Sequence, residues 1–189
     1  MKDEYDFSDA EQGKFYRPVS KLEIPLMKPK LYERAGNLNF SGIDKLISGI
    51  KNFECSTFFA GYLDEDQAGQ KKIVDKFQKE LFEKLAKIIP DIDWKIEFVL
   101  SSKNKDAVDI YGDDGERVIV IEIDKHRADQ VAKKFVSRNA LLIKKDICYI
   151  SLCCPGTKRM SKGECIKFFG YCGQLSQYMG NEYVAFIIE

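Results

Sequence analysis

The fold of this chain is set by residues 109–124, DIYGDDGERVIVIEID, which are typical of a β-hairpin that carries acids on its strands. Residues 118–123 form a run dominated by branched apolar side chains, the pattern of a strand buried on both faces. Asp114-Gly115 predicts a two-residue turn, because both central positions of such a turn need positive φ. The sequence therefore predicts a hairpin whose second strand lies inside a sheet.

Three acids of this hairpin are predicted to share one face. With Asp114-Gly115 at the centre of the turn, Asp109 faces Val120 and Ala107 faces Glu122. Side chains alternate along a strand, so Asp109, Glu122 and Asp124 emerge on the same side. Asp109 and Glu122 then become diagonal neighbours about 7 Å apart at the backbone. Two carboxylates at this spacing predict a divalent cation between them, Mg²⁺ first and Mn²⁺ as the alternative, because oxygen ligands suit both ions.

A second interpretation of the acids stays open. They would lie at the solvated end of an edge hairpin, with Lys105, Lys125 or Arg127 as partners. Glu122 argues for the metal, because it interrupts an apolar run and glutamate is rarely buried without a partner.

Composition narrows the class of protein. A chain of 189 residues can form one core with a small appendage. Lysine plus arginine equals aspartate plus glutamate at 30 each, so nucleic-acid binding would require local segregation of charge. The N-terminus has no apolar signal core and no stretch is long enough to span a membrane, which predicts no membrane association and a cytoplasmic location.

The cysteines and the histidine limit the chemistry. Six cysteines occur, and Cys148, Cys153 and Cys154 lie on a predicted strand, so the cysteines are predicted to be buried free thiols and not zinc ligands. His126 is the single histidine, which excludes a two-histidine metal site. It is predicted to be a solvated neighbour of Lys125 and Arg127, with a phosphate contact as the alternative.

Periodicity divides the chain into residues 1–36, a charged arm or linker containing three prolines, and residues 37–189, an α/β domain. Apolar spacing predicts helices near residues 46–53, 73–89, 127–143 and 164–179, with Ser41 as a cap for the first. Strands are predicted at 94–100, 147–154 and 183–188 besides the hairpin, and a brief extended piece at 57–63. The crossover through the helix at 127–143 should make the neighbouring strand pair parallel.

The start of the chain has a resemblance of its own. The segment KDEYDFS at residues 2–8, followed by GKFYRP at 13–18, resembles the first two dozen residues of short bacterial antitoxin-like proteins. The resemblance implies that the arm engages a protein partner.

The order of elements, with acids on two successive strands, resembles the PD-(D/E)XK nuclease superfamily, which includes type II restriction endonucleases. The family pattern is an aspartate on one strand, then an acid, one residue and usually a lysine on the next. Asp109 matches the first acid and Glu122 the second, while Asp124 stands where the lysine is usual. Some restriction enzymes have an acid or amide there. The resemblance covers about residues 70–154 and implies a restriction endonuclease-like mixed β-sheet flanked by helices.

The resemblance also implies a mechanism. Asp109 and Glu122, with the Ile123 carbonyl, would hold Mg²⁺, and the metal would activate water toward a phosphodiester. Asp124 would bind a second metal or orient the water. Lys125 would contribute to catalysis only if a bulge redirects it to the acidic face, and Glu80 on the preceding helix would be an extra acid.

A basic stripe follows the motif. Arg127, Gln130, Lys134 and Arg138 share one helical face, with Lys133 beside them, and a nucleic-acid backbone would suit this stripe. An ordinary solvated face is the alternative. Lys158, Arg159 and Lys162, in the loop after Pro155, would extend the basic track, and a flexible surface loop is the alternative.

Together these features predict a metal-dependent endonuclease acting on DNA, with a role in restriction or defence. RNA as the substrate and a homodimer stay open. The alternatives are a nuclease-like module that binds nucleic acid without cleaving it, and an antitoxin-like regulatory protein.

Overall fold

The computed structural model describes residues 26–36, 42–101, 106–154 and 156–189, which form one mixed six-stranded sheet with helices on both faces. The strands are β1 (Pro29–Ala35), β2 (Asp93–Ser101), β3 (Asp106–Asp113), β4 (Arg117–Asp124), β5 (Asp146–Cys153) and β6 (Glu182–Ile188). The helices are α1 (Ile43–Lys51), α2 (Ser56–Phe59), α3 (Gln67–Ile88), α4 (Asp129–Leu141) and α5 (Lys162–Met179). The predicted mixed α/β class is confirmed.

The spatial order of the strands is β1-β6-β5-β4-β3-β2. Strands β2, β3 and β4 form an antiparallel meander, and β4, β5 and β6 are parallel and connected through α4 and α5. The prediction that the crossover through the helix after the hairpin makes a parallel pair is therefore confirmed. The acid-bearing strand β4 lies inside the sheet, between β3 and β5.

The hairpin register differs from the prediction by two residues. Tyr111 pairs with Val120 and Asp113 with Val118, so the central turn residues are Gly115 and Glu116. Gly115 has φ +94°, which glycine adopts without steric cost. The Asp114 carboxylate accepts the backbone N–H groups of Glu116 and Arg117 and holds the turn one residue later than predicted. A shift of two residues keeps every side chain on its face, so the predicted grouping of acids survives.

Two hydrophobic layers enclose the sheet. Helices α1, α2 and α3 cover one face, and α4 and α5 cover the other. Helix α3 begins at an Asp66 cap whose carboxylate accepts the Gly69 N–H, and it buries Val74, Phe77, Leu81 and Leu85 at helical spacing against the sheet. The central strands are buried toward both layers, which explains the branched apolar residues 118–121 of β4.

The predicted helices are found in the structure, whereas two other predictions, the extended piece and the boundary of the arm, need correction. The helices expected at 46–53, 73–89, 127–143 and 164–179 correspond to α1, α3, α4 and α5, while the extended piece expected at 57–63 is wrong, since α2 and a 3₁₀ turn at Tyr62–Asp64 occupy it. Ser41 and residues 1–25 lie outside the described residues. The last part of the segment predicted as an arm forms β1, which pairs antiparallel with β6 and so belongs to the sheet.

The cysteines are buried free thiols, as predicted. Within the described ranges, no helix combines the length and the hydropathy needed to cross a bilayer.

Candidate functional site

Three carboxylates gather on the sheet face that α4 covers. Glu122 and Asp124 are two residues apart on β4, so both side chains point toward α4, and Asp109 reaches them from β3. The side chains of Glu122 and Asp124 are 1% and 5% exposed, whereas that of Asp109 is 22% exposed. The cluster therefore has a buried floor and opens toward solvent at Asp109.

Strands β3 and β4 part at the site. Their residue pairing extends to Ile110 and Ile121, and beyond it the Asp109 Oδ2 accepts the Ile123 N–H at 2.6 Å. From the opposite face, the buried Gln78 of α3 donates its Nε2 to the Asp109 carbonyl and to the Glu97 carboxylate, each at 2.7 Å. Asp109 is thus held at both its backbone and its side chain, which limits its motion within the site.

The centre of the cluster is occupied by the ammonium of Lys134, from α4. Its Nζ lies 2.8 Å from Glu122 Oε2, 3.1 Å from Asp124 Oδ1 and 3.6 Å from Asp109 Oδ2. The sequence placed a metal ion between these acids, and the structure places a side-chain cation there. Lys134 is itself 26% exposed, so its end of the site is in reach of solvent.

Arg138, one helical turn further along α4, closes the inner side of the cluster. Its Nε donates to Glu122 Oε1 at 2.8 Å, and its terminal nitrogens donate to Asp106 Oδ1 at 2.9 Å, to the Ala107 carbonyl at 2.7 Å and to the Ser137 hydroxyl at 3.2 Å. The side chain is 9% exposed. Arg138 therefore joins α4 to β3 and β4.

Burial controls the protonation of the cluster. It raises the pKa of Glu122 to about 7, an increase that Lys134 opposes and Asp109 reinforces. It also raises the pKa of Asp124. For Lys134, burial alone would lower the pKa, but the attraction of Asp124, Glu122 and Asp109 raises it, so the ammonium stays charged at neutral pH. With all three acids ionised, Lys134 and Arg138 compensate their charge only in part.

The other predicted basic residues lie outside the cluster. Arg127 precedes α4 and donates two hydrogen bonds to Asp129, each at 2.9 Å, and Lys133 forms an ion pair with the same carboxylate at 2.9 Å. Gln130 is half-buried in the first turn of α4. The predicted stripe is therefore divided: Arg127 and Lys133 face solvent, and Lys134 and Arg138 turn inward to the acids.

Lys125 and Glu80 are also separate from the carboxylates. Lys125 follows Asp124, the last residue of β4, and in the described part of the chain it forms no ion pair with the three acids. Glu80 is exposed on α3 and lies 3.9 Å from Lys76. The structure does not place Glu80 with the three acids.

The basic loop and the histidine are peripheral. The backbone carbonyl of Arg159 accepts the Ala128 N–H, and the ammonium of Lys162 forms an ion pair with Glu189 at 2.9 Å. The side chain of Lys158 lies outside the described part of the structure. His126 is exposed, and its carbonyl accepts the Thr157 hydroxyl.

Sequence reasoning missed the inward direction of Lys134 and Arg138. The signal was present, because both residues share helical spacing with Val131 and Phe135, which line the buried face of α4. Gln78 and Tyr149 were also missed. The Tyr149 hydroxyl is buried close to Glu122 and Asp124 and has no hydrogen-bond partner in the part of the chain that the structure describes; no sequence pattern points to it.

The fit of the site to a divalent cation depends on its free oxygens. Asp124 Oδ2 is buried and accepts no hydrogen bond from any described residue, and a bound cation would satisfy it. Against this, no group of three or more histidine, cysteine or acidic side chains in the described ranges is arranged to hold a metal ion. The donors suit Mg²⁺ chemically, while their present positions suit the ammonium of Lys134.

Comparison with known proteins adds no relative: no family model, no curated protein and no solved structure matches this chain.

Proposed function

We propose that this chain is a divalent-metal-dependent endonuclease that hydrolyses phosphodiester bonds in DNA, with a restriction endonuclease-like fold and a role in restriction or defence. The observation that carries the proposal is the meeting of Asp109, Glu122 and Asp124, from two adjacent strands, at one partly open point of the sheet. A structural protein gains little from such a cluster, because each buried acid must be compensated. Perturbed acids in a partly open site are typical of catalysis.

The acids have the donor chemistry for Mg²⁺ or Mn²⁺. Asp109 and Glu122 are the proposed first ligands with the Ile123 carbonyl, and Asp124 has an oxygen without a hydrogen-bond partner among the described residues. Mg²⁺ commonly uses one or two protein carboxylates and keeps several waters, so this set is sufficient. The bound ion would polarise the phosphate and lower the pKa of an attacking water.

The cations of α4 have distinct proposed roles. The family pattern usually has a lysine at the position that Asp124 holds here. In this proposal Lys134, which lies beside the acids, takes the role of that lysine. Its ammonium would contact a phosphate oxygen or the attacking water at the open side of the cluster. Arg138 would hold Glu122 in position through its 2.8 Å hydrogen bond. Arg127, just before α4, and Gln130 and Lys133, on the first turns of α4, would contact the backbone of the nucleic acid.

The direct test is cleavage of supercoiled and linear DNA with Mg²⁺, with Mn²⁺ and with a chelator. We expect cleavage only with metal, and we expect Asp109→Asn to reduce it about 100-fold or more, as removal of a group that organises transition-state charge does. Glu80→Gln is the matched control, because Glu80 is an exposed acid away from the cluster. Full activity of Asp109→Asn, or cleavage that persists in the chelator, would contradict the proposal. A parallel RNA substrate decides the class of nucleic acid.

One observation favours a second function, a nuclease-like module that binds nucleic acid without cleaving it. The ammonium of Lys134 already lies between the acids, and no group of three or more histidine, cysteine or acidic side chains in the described residues is arranged to hold a metal ion. This module would bind DNA with strong salt dependence and leave it intact with either metal. A homodimer on duplex DNA, and a protein partner for the N-terminal arm, remain proposals for both functions.

A further inference from the structure

The ammonium of Lys134 lies where the proposed metal ion would have to bind. Its Nζ is within 3.6 Å of one oxygen from each of Asp109, Glu122 and Asp124. A divalent cation bound to the same oxygens would lie within a few ångströms of the ammonium, and like charges repel strongly at that separation away from bulk water. The two cations cannot share the present geometry.

We infer that Lys134 is an internal competitor for the metal ion, and that metal binding displaces its ammonium onto a phosphate of the nucleic acid. The inference rests on the proposed function and adds a rule for its regulation: metal and DNA bind with positive cooperativity. Without DNA, the ammonium loses three carboxylates and gains only water when the metal binds. With DNA, a phosphate oxygen replaces the lost carboxylates.

The structure gives Lys134 a way to move and gives Arg138 none. Lys134 is 26% exposed, lies beside the solvent-facing Asp109 and carries a flexible four-carbon stem. Arg138 is 9% exposed and is held by four hydrogen bonds to Glu122, Asp106, Ala107 and Ser137. The displaced cation is therefore Lys134, while Arg138 continues to compensate Glu122 in the metal-bound state.

The test measures Mn²⁺ affinity of the full chain without nucleic acid, from the electron paramagnetic resonance signal of free Mn²⁺ at mildly alkaline pH. We expect Lys134→Met to bind Mn²⁺ about tenfold or more tightly than the wild type, the usual scale of coupling between two sites. Lys133→Met is the matched control, because Lys133 is on the same helix but pairs with Asp129. It should bind Mn²⁺ as the wild type does.

The outcomes separate the two proposals. If the wild type binds Mn²⁺ and Lys134→Met binds it equally or less tightly, the competition is refuted and the metal site is still supported. Absence of Mn²⁺ binding in both proteins would overturn the metal-dependent function and the competition together.

A second measurement covers the case in which Lys134→Met does not fold. Acetylation of wild-type lysines, read by mass spectrometry, should be slow at Lys134 in the metal-free chain and faster with Mn²⁺, because the amine is then released to solvent. Lys133, which pairs with Asp129, is the internal reference for the addition of Mn²⁺ alone and should not change in that step. Adding a DNA duplex with Mn²⁺ should protect Lys134 again. Acetylation of Lys134 that is unaffected by saturating Mn²⁺ would refute displacement.

Discussion

Replacement of Arg138 by methionine should lower the free energy of unfolding, because the Arg138 guanidinium compensates the buried carboxylate of Glu122. Methionine keeps the volume and removes the charge, so a buried Glu122 loses its 2.8 Å partner and Asp106 and the Ala107 carbonyl lose theirs. Breaking one side of a buried ion pair costs about 3–5 kcal/mol, since the remaining charge stays desolvated. Lys134 still contacts Glu122, which favours the lower end of this range.

The assay is urea unfolding of the wild type and the variant, with thermal melting as a second measure. A loss of about 3 kcal/mol corresponds to roughly 6–12 °C in a domain of this size. Lys133→Met is the control, because its solvent-exposed ion pair with Asp129 should contribute little to stability. Stability of Arg138→Met within about 1 kcal/mol of the wild type would refute the reasoning, since such a result means that Glu122 is not compensated by Arg138.

Two further predictions concern pH and the first strand. Folding raises the pKa of Glu122 from 4.5 to about 7. Between these pH values the folded state holds a proton on Glu122 that the unfolded state has released. The contribution of Glu122 to the free energy of unfolding therefore falls by about 3 kcal/mol as the pH rises through this window. Urea unfolding between about pH 5 and 8 should show this fall in the wild type relative to Glu122→Gln, and parallel curves would contradict it. Deletion of residues 1–36 removes β1 and exposes the edge of β6, so the truncated chain should aggregate, which light scattering would detect. A truncated chain that stays monomeric with an unchanged melting temperature would show that β1 is not needed to cover β6.

The local features of the fold follow from the sequence because they depend on near neighbours. Alternation along a strand put Asp109, Glu122 and Asp124 on one face, and the branched run of residues 118–123 placed β4 inside the sheet. The crossover through α4 made β4 and β5 parallel. These results survive a register error, since a shift of two residues preserves the face of every side chain.

Tertiary structure decided what depends on distant partners. The turn lies one residue later than predicted because the Asp114 carboxylate accepts two backbone N–H groups. The Asp-Gly pattern alone does not predict these hydrogen bonds. Strand β1 exists because β6, about 150 residues later, supplies its hydrogen bonds. Lys134 and Arg138 turn inward because α4 packs over buried acids, and compensation of those charges outweighs the solvation of the two cations. A basic residue on a helix can face solvent or acid, and only the packing of the helix on the sheet determines which.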